Sequence, residues 1–190
     1  MIRDLILKNR SYRRFQQDYK IEETTLKELV DLARISGSGA NKQPLKFILS
    51  CDYEKNSKIF SNTKWAGYLT DWPGPEEGER PSAYIIILGD TQILKAFGCD
   101  HGIAAQSILL GAAERDLGGC MIGSISRDDL RRELSIPDQY EILLILAIGK
   151  PKEKIVLENL PPDGSVKYWR DDKQVHHVPK RNLDELILDI

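Results

Sequence analysis

Between Gly98 and Leu117 the chain places small and apolar residues on every side of a helical pattern, among them Ile103, Ala104, Ala105, Ile108, Leu109, Gly111, Ala112 and Ala113. A helix with no polar face must be covered all round, so the rest of the chain has to wrap it. The 190 residues suffice for that. At this length about 70% of the unfolded surface can be buried, and one core is favoured over two.

The elements that do the wrapping alternate irregularly. Ile2, Leu5 and Ile6 predict a short amphipathic helix, Leu26, Leu29, Val30 and Ala33 a helix over 23–35, and the segment 127–134 a further amphipathic one. Strands are predicted at Phe47–Leu49, the first central strand, at Ala83–Leu88, in the glycine-bracketed run Gly118–Gly123, and at Ile142–Ile148. Helices and strands interleaved without a regular repeat indicate an α+β fold, a mixed central sheet flanked by helices. Past Gly149-Lys150-Pro151 the chain turns polar, with short strands expected at 166–169 and 174–178 and a last helix at 182–188. The whole reads as a single domain, 1–190, with a core over about 4–151 and an extension over about 152–190. That extension has little core of its own and is suited to wrapping the body or a partner subunit.

Charge and cysteine content remove several functional classes. Twenty-seven Lys and Arg against 29 Asp and Glu leave a formal charge of −2, which provides no bulk attraction to nucleic acid or an anionic membrane. No apolar stretch approaches the ~20 residues of a membrane span. Three scattered cysteines make neither a disulfide framework nor a zinc or redox pair, and a cytoplasmic location is expected.

Among the polar motifs, Arg10, Ser11, Arg13 and Arg14 set several charge-assisted donors within a few residues, as a phosphate monoester requires, and Lys180-Arg181 adds to them from the tail. A solvated basic turn is the alternative reading. Gly37-Ser38-Gly39 is not a dinucleotide fingerprint, because the third glycine position is Lys42 and the segment follows a helix. Gly118–Gly123 has P-loop glycine spacing but is followed by Ser124-Ile125 rather than Lys-Ser/Thr. Cys99 and His101 point to nearly opposite sides of a helix, so Cys99-Asp100-His101 reads as capping or packing. His176 and His177 face opposite ways on a strand, and no spaced His or carboxylate set suggests a metal. Trp65, Tyr68 and Trp72, in a loop rich in Gly and Pro, serve equally as loop anchors or as cover for a flat ligand.

Taken in order, these segments resemble the nitroreductase family of FMN-dependent oxidoreductases. Residues 9–15, Asn-Arg-Ser-Tyr-Arg-Arg-Phe, are similar to its opening R-R-S-x-R-x-F motif, with Asn9 in place of the first Arg. Residues 36–44, Ser-Gly-Ser-Gly-Ala-Asn-Lys-Gln-Pro, are similar to its A-P-S-x-x-N-x-Q-P loop, with Gly37 in place of Pro. Ala147-Ile148-Gly149-Lys150-Pro151 resembles the family's strand ending A-x-G-x-P. The resemblance implies a homodimer whose C-terminal extensions embrace the partner, with two FMN molecules at the interface. Arg10, Ser11, Arg13, Lys180 and Arg181 would hold the FMN phosphate from one chain. Ser38, Gly39 and Asn41 would reach the flavin of the opposite subunit, and Met121, Ile122 and Gly123 would lie near the isoalloxazine.

The implied activity is ping-pong hydride transfer from NAD(P)H through flavin N5 to an acceptor such as a nitroaromatic or quinone, the flavin carrying the chemistry. Hydride transfer needs no side-chain acid or base, so no catalytic residue is assigned. Two other functions are compatible with the same residues: an FMN-binding or storage module with little turnover, and a flavin-fragmenting or dehalogenating enzyme of the same fold with the 65–72 segment as a lid.

Overall fold

The computed structural model describes residues 1–189. In chain order the elements are α1 (Ile2–Lys8), β1 (Phe15–Gln16), α2 (Glu23–Arg34), β2 (Leu45–Ser50), α3 (Tyr53–Ser61), β3 (Ala83–Asp90), α4 (Asp100–Glu114), β4 (Gly118–Ile122), α5 (Arg127–Leu134), β5 (Tyr140–Pro151), β6 (Ile155–Asn159), β7 (Trp169–Arg170) and β8 (His176–Lys180).

Strands β1 to β5 form the central sheet, ordered β1-β5-β3-β2 with β4 also on β5. Alternation along β3 explains why its sequence is apolar throughout. Ala83, Ile85 and Ile87 pack with α2 and the buried helix α4, whereas Tyr84, Ile86 and Leu88 pack with Ile59 of α3, Trp65 and Leu130 of α5. With helices on both faces, every β3 side chain is buried.

Three expectations are corrected. The central sheet is not mixed in its ladders: every strand pair in it is antiparallel. Strands β3 and β4, joined through α4, do run the same way, but β5 lies between them and pairs antiparallel with both. The 45–50 strand is at the sheet's edge rather than its centre, paired with β3 alone. The last helix is only a single 3₁₀ turn, Leu183–Glu185, because Leu183, Leu186, Ile187 and Leu188 are all exposed and a short helix with no face to bury is not stable. Helix α3 and strand β6 are additions to the expected elements. The polar α3 starts on the Asp52 side chain, which accepts from the Lys55 N–H at 2.8 Å.

The extension folds back on its own chain as a second sheet, β6 parallel to β8 and β7 antiparallel to it. Arg170 clamps it to the body, lying 4.6 Å over the Trp72 ring and pairing at 3.1 Å with the buried side chain of Glu153, whose carboxylate also accepts from Arg14 N–H at 3.2 Å. Among the described residues no helix is long and apolar enough to cross a membrane.

Candidate functional site

Strand β4 separates core from site by its pleat. Cys120 and Ile122 face the core, while Gly119 and Met121 face a cavity of about 350 Å³. The segment 9–13 crosses this strand closely: Tyr12 N–H donates to Gly119 O at 3.0 Å, and Ser11 bridges Gly119. A Cβ at Gly119 would lie 2.5 Å from Ala147 O and 2.6 Å from Leu109 Cδ2, so only glycine fits here between β5 and α4. From the extension, β8 presents His176, Val178 and Lys180 to the same cavity at the two-residue spacing of one strand face. His177 faces the other way, stacked on Trp169 and hydrogen-bonded to Glu158 at 2.5 Å.

Arg10, Ser11, Arg13 and Lys180 thus converge, although Lys180 is 167 positions beyond Arg13 in the chain. Among the described residues no ion pair involves Arg10, Arg13 or Lys180. Arg14, by contrast, turns away to Glu79, and that hydrogen bond, with help from Lys152, holds the Glu79 carboxyl at about 2 against the cost of burial. The Arg10 guanidinium donates to Asn9 O and Ile6 O, both at 2.6 Å. Arg13 lies 4.6 Å over the Tyr168 ring and meets His176 Nε2 at 3.2 Å. Burial first, then the charges of Arg13 and Arg170, push the His176 imidazole down to about 4. It is therefore neutral at pH 7. With Nε2 accepting from Arg13, its proton is on Nδ1, which has no hydrogen-bond partner among the described residues.

The 38–43 loop is elsewhere. Ser38 Oγ donates to Asp100 Oδ2 at 2.6 Å, Gly39 N–H donates to Asp100 Oδ1 at 2.9 Å, and Ser38 Oγ accepts from Gln43 N–H at 2.9 Å. These bonds hold a backbone in which Ala40, Asn41 and Gln43 have φ of 48°, 56° and 51°, a conformation costly for residues other than glycine. Ser38, Gln43 and Asp100 line a smaller cavity, about 180 Å³, that shares no residue with the basic one.

The sequence-predicted site residues therefore divide. Arg10, Ser11, Arg13, Met121 and Lys180 come together; Ser38, Gly39 and Asn41 form a separate loop. The Ile122 side chain is in the core, Gly123 lies past the strand end with its carbonyl accepting from Arg127, and Arg181 leaves the cavity to pair with Glu185. Sequence reasoning missed Gln106, Tyr168 and His176 on the cavity wall and Asp100 as the loop's anchor. Gln106 was detectable as a polar residue in the middle of a helix rich in small and apolar side chains; Tyr168 and His176 carried no local signal that placed them beside the arginines. Among the described residues no group of three or more His, Cys, Asp or Glu is placed to hold a metal.

A sequence model of the Nitroreductase family matches residues 82–150, which run from the start of β3 through β5. A relative from Archaeoglobus fulgidus named "Putative NADH dehydrogenase/NAD(P)H nitroreductase" is 25% identical over 149 residues, covering 74% of this chain and 80% of its own. An FMN-dependent nitroreductase from Clostridium difficile R20291 superposes with a TM-score of 0.65 at 25% identity, over 81% of this chain and 89% of that one. A nitroreductase family protein from Streptococcus pneumoniae TIGR4 shares the fold at a TM-score of 0.70 and 16% identity, over 86% and 97% of the two chains. The matched segment covers β3, β4 and β5 and the helix α4 around which this fold is built, and over it the chain is similar to the nitroreductase family, whose fold these solved structures share.

Proposed function

We propose that this chain is an FMN-dependent NAD(P)H oxidoreductase that works as a homodimer, each flavin held by the basic cavity of one copy and the 38–43 loop of the other. The observation that carries the reading is the convergence of Arg10, Ser11, Arg13 and Lys180, three cations without a carboxylate partner and a hydroxyl, beside the open face of β4. That donor set fits a phosphate monoester, and a cavity of about 350 Å³ is in the range of small-molecule sites. The chemistry FMN supplies when bound is hydride uptake at N5 from NAD(P)H and delivery to an acceptor such as a nitroaromatic or quinone, in ping-pong order.

The chain's own residues bind and orient. Arg10, Arg13 and Lys180 neutralise the phosphate, with Ser11 as a further donor. Met121 supplies an apolar surface, 39% exposed, for one face of a flat ring. Neutral His176 leaves the cavity's positive charge to the guanidinium and ammonium groups and holds Arg13 in place. Because Ser38, Gly39 and Asn41 lie outside this cavity, a second copy is needed to bring them to the ligand, and the exposed Leu183, Leu186, Ile187 and Leu188 are available for the partner's surface.

The test is the visible spectrum of the purified protein, with its flavin released and quantified, followed by stopped-flow reduction with NADH and NADPH. About one oxidised FMN per chain, bleached by a nicotinamide and restored by a quinone, is expected. A colourless protein that takes up no added FMN would overturn the reading, and flavin that is bound but reduced only very slowly would identify a storage module.

A further inference from the structure

Arg13 and Arg14 are neighbours in sequence, and the fold holds them in opposite ways. Arg14 donates to the buried Glu79 carboxylate at 2.6 Å, so its charge is compensated within the chain. The Arg13 guanidinium has no carboxylate partner among the described residues and lies instead 4.6 Å over the Tyr168 ring. An aromatic face attracts a cation through its quadrupole but carries no net charge and offers no lone pair. It fixes a guanidinium without neutralising it or occupying its donors, whereas a carboxylate would compete with an anionic ligand for both. The donors left over suit a phosphate. Arg13 Nη1 meets Ser11 O and His176 Nε2, both at 3.2 Å, while its Nε and Nη2 make no hydrogen bond among the described residues. Those two nitrogens form the fork that can grip two phosphate oxygens at once.

Tyr168 lines the basic cavity with Arg13 and is itself fixed by two other segments. Its hydroxyl accepts from Tyr68 N–H at 3.4 Å, the Tyr68 ring packs against it at 5.0 Å, and the His176 ring of β8 lies at 5.2 Å. The 65–72 loop has no residue on the wall of that cavity, so it reaches the cavity through this aromatic stack. We propose that Tyr168, buttressed by Tyr68, is a positioning residue that makes the site select a phosphorylated flavin over its unphosphorylated counterpart, by holding Arg13 in place with its charge uncompensated. The inference rests on the FMN reading above.

The test compares FMN with riboflavin, which lacks the phosphate, by equilibrium dialysis of the purified protein and its variants against each flavin. Tyr168→Leu is expected to lower the FMN-to-riboflavin affinity ratio roughly three- to tenfold, with riboflavin affinity itself within about twofold of wild type. A general loosening of the fold would weaken both flavins alike and give no such split. Tyr168→Phe keeps the ring face and should keep the ratio. In an Arg13→Ala background Tyr168→Leu should lower the ratio no further, because its effect runs through Arg13. If Tyr168→Leu does not fold, Tyr68→Ala, at an exposed residue, decides in its place and should lower the ratio in the same direction. An unchanged ratio in the deciding variant, an equal loss of both flavins, a loss in Tyr168→Phe as large as in Tyr168→Leu, or an undiminished further loss in the Arg13→Ala background would overturn the proposal and leave the FMN reading standing. Wild-type protein that binds the two flavins equally would overturn it together with the phosphate assignment, and protein that takes up neither would sink the FMN reading as well.

Discussion

Ser38 Oγ donates a 2.6 Å hydrogen bond to the buried carboxylate of Asp100, 62 residues further along the chain. The same carboxylate accepts from Gly39 N–H, so one side chain at the start of α4 holds a loop whose next residues have left-handed backbone. Asp100→Ala should release the 38–43 segment, lowering stability by about 1–3 kcal/mol. Faster hydrogen exchange at the Gly39 and Gln43 amides would show this directly, and FMN affinity should fall with it. Asp100→Asn keeps one acceptor and should fall between the two.

The basic cavity separates arginines that look alike in sequence. On the proposed FMN reading, Arg13→Ala should weaken FMN binding by roughly ten- to a hundredfold, about 1.5–3 kcal/mol, in a fluorescence titration, as loss of a charge-assisted phosphate contact would. Arg181→Ala should leave affinity nearly unchanged, because Arg181 is turned to Glu185 outside the cavity.

Gly119→Ala should destabilise the fold by roughly 1–3 kcal/mol in chemical denaturation, since its Cβ would press on the Ala147 carbonyl and Leu109. Gly123→Ala should be almost neutral, as nothing lies within 4 Å of a Cβ there.

His176 makes stability depend on pH. Its folded value of about 4 is below the ordinary 6.5, so the unfolded chain binds the extra proton first and stability falls as pH drops from about 6.5 towards 4. The loss by pH 4 should be at most about 3 kcal/mol. His177, raised by Glu158 and Asp171, works in the opposite sense, and the measurement is therefore the difference between wild type and His176→Gln in melting temperature against pH. Glu79, held at about 2, begins to matter only below its ordinary 4.5, so the two effects overlap only at the acid end of the His176 range.

Much of this fold was legible because burial leaves a local trace. The apolar run of β3 announced a strand covered on both faces, and Arg127–Leu134 showed its amphipathic spacing, whereas α4, expected to be covered all round, leaves Gly102, Ile103 and Gln106 exposed on one side. Helix α3 left little trace, since of its nine residues only Asn56 and Ile59 are buried. The direction of the central ladders was hidden because β5 enters between β3 and β4, a matter of chain path rather than of side-chain type. In the site, the arginine motif was readable as charge near a hydroxyl, but its meeting with Tyr168 and His176 depends on the extension folding back through Arg170 and Glu153. No spacing rule reports a contact between residues 13 and 176.

If, as proposed, the basic cavity of one copy and the Asp100-held loop of the other share a flavin, a lesion in one chain need not be fatal to a mixed assembly. When Arg13→Ala protein is refolded with an Asp100→Ala partner, each hybrid dimer gathers both defects at one flavin site and leaves the other whole. Two weakly binding preparations combined in this way should recover wild-type FMN affinity at about a quarter of the sites, a rescue that a site built within one chain could never show.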